Sequence, residues 1–197
     1  MQWIGLTGGI GSGKSTFAGI LNSKRIPVIN ADELAHLALQ PGRQTYDQVV
    51  ELFGNKILDS SGQIDRKKLG AVVFGNTEEL TRLENILHPA VREMAEIRKK
   101  ELLENGQYKL AIYDVPLLYE KSMQKYFDAV VVVYCSEETQ IQRVMERNGL
   151  SRKEVISRMS HQIPLTEKVK LADYVISNEG SLEDLEKESE KWIQSFN

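Results

Sequence analysis

The chain has 197 residues, and its 25 Lys and Arg against 28 Asp and Glu give a formal net charge of −3. With 41% hydrophobic and 27% charged residues, the composition excludes a collagen-like, disulfide-built or intrinsically disordered chain. Residues 129–135, the longest apolar run, are too few to span a bilayer as a helix, and the mildly acidic charge argues against bulk nucleic-acid binding. The first residues lack the basic start of a signal peptide, and the single Cys135 cannot form an internal disulfide. These features predict a cytoplasmic protein without a membrane or nucleic-acid partner.

Strand and helix signals alternate along the chain, which is the pattern of an α/β fold with a largely parallel sheet. Five short apolar segments, with β-branched or aromatic residues at many positions, are typical of buried parallel strands. Enough residues separate each segment from the next for a crossover helix. The strands are predicted at residues 3–6, 26–29, 110–115, 129–135 and 174–177.

The stretch after the second strand differs, because its apolar residues recur at helical spacing and no convincing strand is present. Pro89 would suit the first turn of a new helix, so a helix boundary is predicted there. Further on, Ser151-Arg-Lys-Glu154 matches a capping box and predicts a helix that begins after Ser151 and ends at Pro164. The C-terminal helix is predicted to bury one apolar stripe, formed by Leu182, Leu185, Trp192, Ile193 and Phe196.

These elements predict a core with two helical excursions. The core comprises residues 1–31, 106–136 and 172–197. A helical subdomain occupies residues 32–105, and a second helical stretch, residues 137–171, is interpreted as a lid.

The most specific signal is Gly8-Gly9-Ile10-Gly11-Ser12-Gly13-Lys14-Ser15, which fills the phosphate-binding pattern G-x-x-x-x-G-K-[ST]. Glycines let backbone N–H groups surround phosphate oxygens at the positive end of the following helix. Lys14 would contact the β- and γ-phosphates, and Ser15 is a natural Mg²⁺ ligand. A strand precedes the loop and a helix follows it, which is the context the pattern requires. The expected nucleotide-binding residues are Gly9, Ile10, Gly11, Ser12, Gly13, Lys14, Ser15 and Thr16.

Three other interpretations of this segment are weaker. A glycine-rich surface turn would not explain the lysine and serine that follow. The dinucleotide pattern G-x-G-x-x-G fails because Lys14 stands at the third glycine. A regulatory GTPase needs Asn-Lys-x-Asp, whereas Asn55-Lys56-Ile57-Leu58 lacks the aspartate. The loop and the alternating pattern together predict a three-layer core of the P-loop NTPase type.

Two carboxylates follow predicted strands. Asp32 comes just after the second strand, where ligands of open α/β sheets bind. Asp114 ends an apolar run, where an acid can assist Mg²⁺ and the phosphate loop, so Ser15 and Asp114 are the candidate metal ligands. The alternatives are that Asp32 caps the next helix and that Asp114 is a turn acid.

Residues 143–170 carry seven basic against three acidic side chains, a local net charge of +4. Arg143 and Arg147 lie four residues apart, on one face of a predicted helix. Arginines in a lid can neutralise the charge that develops on a transferred phosphoryl group, an effect worth about 10³–10⁵ in rate. The alternative is a solvated helix face with ordinary charge pairs.

Taken together, these residues resemble the dephospho-coenzyme A (dephospho-CoA) kinases along essentially the whole chain. The resemblance covers the opening Ile4-Gly-Leu-Thr-Gly-Gly-Ile-Gly-Ser-Gly-Lys-Ser-Thr16 and Val28-Ile-Asn-Ala-Asp-Glu-Leu-Ala-His36. It continues in Ile64-Asp-Arg-Lys-Lys-Leu-Gly70, Leu87-His-Pro89 and Asp114-Val-Pro-Leu-Leu-Tyr-Glu120. Residues 143–162 and Ala172-Asp-Tyr-Val-Ile-Ser-Asn178 resemble the lid and the adenine-side loop of the family.

The resemblance implies ATP-dependent phosphorylation of the ribose 3′-hydroxyl of dephospho-CoA, with Mg²⁺, a helical CoA-binding subdomain and a lid. By carry-over, Asp32 is the general base or an orienting carboxylate for that hydroxyl. Lys14 is a catalytic residue, and Arg147 is preferred over Arg143 as the second cation. Asn178 would lie near the adenine. The substrate-binding residues so implied are Asp32, Arg66, His88, Asp114, Leu117 and Glu120.

The sequence departs from the family pattern at Asn30 and Asn148, where aspartate is common. An amide cannot serve as an anionic ligand, which puts a metal role for position 30 in doubt and sharpens the assignment of the base to Asp32. Another small-molecule or nucleoside monophosphate kinase and a non-catalytic ATP-binding regulator remain alternatives. The oligomeric state is open, with a monomer favoured.

Overall fold

A computed structural model describes residues 1–196 of the chain. By its contacts the chain divides into two compact units. The sheet unit comprises Met1–Ile29 and the chain from Glu101 onward, and the helical unit comprises Asn30–Lys100.

The strands of the described residues form one five-stranded sheet in the order β2-β3-β1-β4-β5. β1 pairs in parallel with β3 and β4, and β4 pairs in parallel with β5. The strands are β1 (Gln2–Gly8), β2 (Val28–Asn30), β3 (Leu110–Asp114), β4 (Ala129–Tyr134) and β5 (Tyr174–Ser177). All five predicted strands are thereby confirmed, with ends shifted by a few residues.

Helices connect these strands and build the helical unit. Within residues 1–196 they are α1 (Lys14–Ser23), α2 (Ala31–Ala38), α3 (Gln44–Phe53), α4 (Arg66–Val73), α5 (Thr77–Asn105), α6 (Glu137–Asn148), α7 (Arg152–Met159), α8 (Leu165–Leu171) and α9 (Leu182–Gln194). None of these helices combines the length and the apolar character that crossing a bilayer would require.

The core of the sheet unit lies where α1 and α9 pack on the strands. β1 and β3 are buried along almost their whole length, as expected for central parallel strands covered on both faces. Trp192 of α9 packs edge-on against Phe17 of α1, with ring centroids 5.6 Å apart. This packing fixes α1, and with it the loop between β1 and α1, on the sheet.

The helical unit has a separate apolar core, which explains how 71 residues without a sheet stay compact. Its side chains come from α3, α4, α5 and a short 3₁₀ turn. The buried members are Val49, Phe53, Ile57, Leu69, Val73 and Leu83.

Three local predictions need correction. No helix boundary lies at Pro89, because α5 runs unbroken through it; the packing of Leu83, Ile86 and Leu87 in the helical core stabilises the helix across the missing hydrogen bond. α7 begins after Ser151 with the predicted capping box, but it ends at Met159, and Pro164 instead caps α8. Leu182, the first residue of α9, is 57% exposed and is not part of the buried stripe.

Candidate active site

The loop between β1 and α1 is built around glycines that other elements approach closely. Gly11 and Gly13 have positive φ values of 77° and 88°, which disfavour any side chain. A Cβ on Gly11 would lie 2.7 Å from the backbone oxygen of Gln140, and one on Gly13 would overlap the Asn178 amide. These glycines are therefore required by the packing of α6 and of Asn178 on the loop, in addition to any ligand.

Two glutamines hydrogen-bond the backbone of Ile10, one at its carbonyl oxygen and one at its N–H. Gln140 of α6, which is 3% exposed, donates to the Ile10 oxygen at 2.7 Å. Gln162 accepts from the Ile10 N–H at 3.0 Å. The Ile10 N–H, one of the predicted phosphate contacts, is thus already bonded within the protein.

The helix that follows the loop supplies the remaining donors. The first N–H groups of α1 have no acceptor within the helix, and they project from its N-terminal end with the positive end of the helix dipole. Ser15 and Thr16 in this first turn are exposed. The start of α1 therefore has the donors and the polarity that bind phosphate.

Lys14 and Asp114 form an ion pair at the carboxyl ends of the central strands. Asp114 is the last residue of β3, is 1% exposed and lies in register with Leu6 of β1. It is therefore a strand residue, and the alternative of a turn acid is wrong.

Two buried polar atoms beside the loop have no hydrogen-bond partner, namely Ser12 Oγ and Arg143 Nη1. A Cβ on Gly13 would lie 3.8 Å from Arg143 Nη1, so the guanidinium lies beside the loop. Arg147, one helical turn further along α6, is exposed and donates from Nε to Asn148 Oδ1 at 3.0 Å. A buried unpaired donor is costly, and an anion bound at the loop would satisfy the one on Arg143.

Asn178 supports the loop directly. It is 7% exposed, its side-chain Nδ2 donates to the Ser12 oxygen at 2.8 Å, and its backbone N–H donates to Tyr134 at 2.7 Å. Contact with an adenine stays a prediction for this residue.

Hydrogen bonds and the charge of Arg143 shift the pKa values of two groups close to it, the Glu179 carboxyl and the Cys135 thiol. Burial by itself raises the pKa of Glu179. Hydrogen bonds from Thr139 and Ser136, together with the charge of Arg143, lower this pKa by more than burial raises it, so it lies below the usual value. Burial also raises the pKa of the Cys135 thiol to about 11, although Arg143 opposes this shift. The arginine is thus near one carboxylate and one protonated thiol.

Some basic side chains of residues 143–170 form ion pairs, and those with Glu138 and Glu120, which lie outside the segment, offset two of its four net positive charges. Arg152 pairs with Glu138 at 2.7 Å, Lys168 with Glu120 at 2.8 Å, and Lys170 with Glu167 at 2.8 Å. The alternative of ordinary charge pairs therefore fits these three residues, two of which are exposed. It does not fit Arg143.

The helical unit brings Asp32 and Arg66 together. Both line a cavity of about 410 Å³ with Asn30, Glu33, His36 and Leu37. Asn30 Oδ1 accepts from the N–H groups of Asp32 and Glu33 at 2.8 and 3.2 Å. The N-cap of α2 is thus Asn30, and the alternative that Asp32 serves as the cap is wrong; the Asp32 side chain is exposed.

The other predicted substrate residues are placed differently. His88 lies exposed within α5 and does not line this cavity. Leu117 is 36% exposed in the segment after β3. Glu120 in the same segment pairs with Lys168 and accepts from the Ile163 N–H at 2.9 Å. A contact between these residues and a substrate stays a prediction.

The donor set at the loop fits Mg²⁺ that is bound mainly through nucleotide phosphates. Such a metal needs one or two protein oxygens, and Ser15 in the first turn of α1 and Asp114 at the end of β3 offer them. Within residues 1–196 no group of three or more His, Cys, Asp or Glu side chains could hold a metal ion by itself.

Sequence reasoning missed Gln140 and Lys168 as residues that contact the loop. Gln140 stands in a polar helical stretch, and Lys168 was counted only within the basic segment. Burial of a lysine depends on a carboxylate from another element, which no local pattern reveals.

The parallel sheet, its flanking helices and the phosphate-binding loop define a P-loop kinase fold. A family model described as dephospho-CoA kinase (CoaE) matches residues 2–184. A protein named dephospho-CoA kinase from Carboxydothermus hydrogenoformans is 50% identical over 182 residues, covering 91% of this chain and 87% of that protein. One of the same name from Geobacter sulfurreducens is 45% identical over 197 residues, covering 100% of both chains.

The solved structures agree with these sequence relatives. The structure of dephospho-CoA kinase from Campylobacter jejuni matches with a TM-score of 0.74 and 33% identity, over 98% of this chain and 96% of that one. The chain belongs to the dephospho-CoA kinase family, which confirms the resemblance and the predicted fold class.

Proposed function

We propose that the protein transfers the γ-phosphoryl group of ATP to the ribose 3′-hydroxyl of dephospho-CoA, giving CoA and ADP. One observation carries the proposal: a complete phosphate-binding loop, with Lys14 against Asp114, stands in a chain that matches the family over residues 2–184. The final step of CoA synthesis is the reaction that this family name describes.

On the nucleotide side, the N–H groups at the start of α1 and the ammonium of Lys14 bind the phosphates. In the structure Lys14 contacts Asp114, so nucleotide binding redirects part of its hydrogen bonding to the phosphate oxygens. Mg²⁺, bound by Ser15 and Asp114 when present, supplies neutralisation of phosphate charge.

On the acceptor side, Asp32 accepts the proton of the ribose hydroxyl. A sugar hydroxyl is a poor nucleophile at neutral pH, and a positioned carboxylate that takes its proton in the transition state contributes about 10²–10⁴ in rate. Its exposed position on α2, in the cavity with Arg66, supports this role. Arg66 would bind a phosphate of the substrate, and His88, Leu117 and Glu120 are the further substrate-contact candidates.

The developing phosphoryl charge is neutralised by Lys14 and an arginine of α6. The unpaired Nη1 of Arg143 favours Arg143 as this residue, with Arg147 as the second candidate. We further propose that residues 32–105 form the CoA-binding subdomain, that residues 137–171 act as a lid, and that Asn178 contacts the adenine. The protein is expected in the cytoplasm as a monomer, without nucleic-acid partners.

The direct test is an acceptor assay with purified protein, ATP and Mg²⁺. Dephospho-CoA should yield ADP and CoA in equal amounts, while nucleoside monophosphates should yield no product beyond the background. If dephospho-CoA fails and another small molecule accepts phosphate, the proposed substrate is wrong. If ATP binds and no acceptor is phosphorylated, a regulatory ATP-binding protein is the better conclusion. Omission of Mg²⁺, with EDTA present, should abolish turnover.

A further inference from the structure

We propose that Lys168 is a positioning residue for the phosphate-binding loop, acting on it together with Gln162. This inference rests on the proposed function insofar as the loop binds the phosphates of ATP. Neither residue is expected to touch the nucleotide. Both contact the loop from residues 162–168, the segment that leads into and forms the first part of α8.

Lys168 is fully buried, and each of its three ammonium protons has an acceptor nearby. Its Nζ lies 2.8 Å from Glu120 Oε1, 3.1 Å from the Gly8 oxygen and 3.4 Å from the Pro116 oxygen. A lysine ammonium has three donors and no acceptor, so its hydrogen bonding is complete without a ligand. Lys168 is therefore a structural cation rather than a phosphate-binding one.

The hydrogen bond to the Gly8 oxygen connects this buried cation to the phosphate-binding loop. Gly8 is the last residue of β1 and the first of the phosphate-binding loop. The Glu120 carboxylate alone could balance the buried charge, whereas the bond to Gly8 ties the ion pair to the start of the loop. The Thr7 hydroxyl of β1 donates to the Pro116 oxygen at 3.0 Å, so a further hydrogen bond connects β1 to the segment that contains Pro116 and Glu120.

Gln162 makes a second contact two residues further along the loop. Its Oε1 accepts from the Ile10 N–H. Gly9 lies between Gly8 and Ile10, and a Cβ on Gly9 would lie 3.6 Å from Leu165 Cδ2. Residues 8–10 thus lie against residues 162–168 at three successive positions. Because a misplacement of about 1 Å in a positioned group can cost 10²-fold in rate, these contacts should influence how the loop binds phosphate.

The test compares Lys168→Met with Lys170→Met by titration calorimetry with ATP, ADP and AMP. Lys170 lies on the same helix, is exposed and pairs with Glu167, so it is the matched control. In Lys168→Met the dissociation constants for ATP and ADP should rise about tenfold. The constant for AMP, which lacks the β-phosphate that the loop binds, should change less than about twofold. Lys170→Met should leave all three constants unchanged.

The nucleotide comparison separates positioning from loss of folded protein. A partly unfolded sample binds fewer equivalents of every nucleotide with unchanged dissociation constants. A fully folded Lys168→Met protein that binds ATP as wild type does would overturn the proposal, as would an equal loss for ATP and AMP. The calorimetry contains no dephospho-CoA or other phosphoryl acceptor. The nucleotide dissociation constants therefore test the role of Lys168 even if the dephospho-CoA assay fails.

Removing one member of a buried ion pair can prevent folding, so two further variants complete the test. In Lys168→Met/Glu120→Gln both charges of this pair are removed, and thermal stability should recover while ATP still binds weakly. Recovery of both stability and ATP affinity would mean that Lys168 only balances Glu120, contrary to the proposal. Gln162→Ala, at a partly exposed position, should raise the ATP constant several-fold on its own. Unchanged ATP binding in this variant would overturn the role of the segment.

Discussion

At the scale of single residues, the charged groups near the phosphate-binding loop differ in how they are bonded. Lys14 contacts Asp114, Lys168 contacts Glu120, and Arg147 donates to Asn148. Arg143 differs, because its Nη1 is buried beside the loop without an acceptor. A bound anion relieves that deficit, which is a physical reason to rank Arg143 first although the family pattern favoured Arg147.

The two arginines can be compared directly. Arg143→Met should lower kcat by about 10³-fold, because a cation that stabilises phosphoryl transfer is worth about 10³–10⁵ in rate. Arg147→Met should lower kcat less than about tenfold. Steady-state kinetics with saturating ATP and dephospho-CoA give both values. The reverse order of the two losses would show that Arg147 is the catalytic arginine.

Asp32→Asn tests the proposed base. The amide keeps the shape of the side chain but cannot accept the proton, so kcat should fall by about 10²–10⁴. The ATP dissociation constant, measured by calorimetry, should stay within about twofold because Asp32 acts on the acceptor. Glu51→Gln, which neutralises an exposed carboxylate on α3, is the control and should turn over normally. Near-normal turnover of Asp32→Asn would exclude its role as the base.

At the scale of elements, Asn30 acquires a structural role that its family position did not indicate. It ends β2 and caps α2 through hydrogen bonds to the N–H groups of Asp32 and Glu33. Asparagine and aspartate are about equally good caps. The departure from the family's usual aspartate therefore preserves the orientation of the first turn, on which Asp32 lies.

Asn30→Ala should lower the free energy of unfolding by about 0.5–2 kcal/mol, because the two N–H groups lose their acceptor. Asn30→Asp should retain the stability of the wild type. Urea denaturation followed by circular dichroism measures both. Equal stability of the alanine variant and the wild type would mean that the cap contributes nothing.

α5 shows why a local rule can fail at the scale of an element. Proline lacks the N–H for the helical hydrogen bond and usually stands at a helix start, which made Pro89 a reasonable boundary. The helix continues because apolar residues before Pro89 are packed in the core of the helical unit. Tertiary packing of this kind exceeds the cost of one lost bond.

At the scale of the whole molecule, the net charge of −3 conceals how the charges are arranged. The basic segment contains one buried ion pair and two exposed pairs. The cation beside the loop with an unsatisfied donor is Arg143. Net charge thus reports poorly on the capacity to bind a polyanion.

The free energy of unfolding should depend on pH through the buried thiol of Cys135. It is fully buried after β4, and burial raises the pKa of its thiol from 9.0 to about 11. The unfolded chain therefore releases this proton at lower pH than the folded chain. Its contribution to stability is complete below about pH 9 and is lost as the pH rises to about 11.

The wild type should consequently lose stability between pH 8 and 10.5 more steeply than Cys135→Ala. Urea denaturation at both pH values gives the two slopes. The alanine variant is less stable throughout because it leaves a small cavity, but only the difference between slopes tests the thiol. The raised pKa of Tyr119, about 12, contributes equally to both proteins. Identical slopes would show that Cys135 does not titrate differently in the folded state.

The sequence by itself determined the strands, the phosphate-binding loop, the α7 capping box and the family. Each of these depends on local composition or on spacing within a few residues, which are visible in a linear pattern. Strand ends and the basic segment singled out Asp32, Asp114, Arg143 and Arg147, the family resemblance supplied the role of Asp32 as base, and these roles stay predictions.

The tertiary structure decided which polar groups are already bonded and which are not. Lys168 is a buried structural cation because Gly8, 160 residues away in sequence, supplies one of its acceptors. Gln140 contacts Ile10 over 130 residues, and Arg143 has an unsatisfied donor because α6 packs its guanidinium beside the loop. Hydrogen bonding and burial depend on distance in space, so these assignments required the fold.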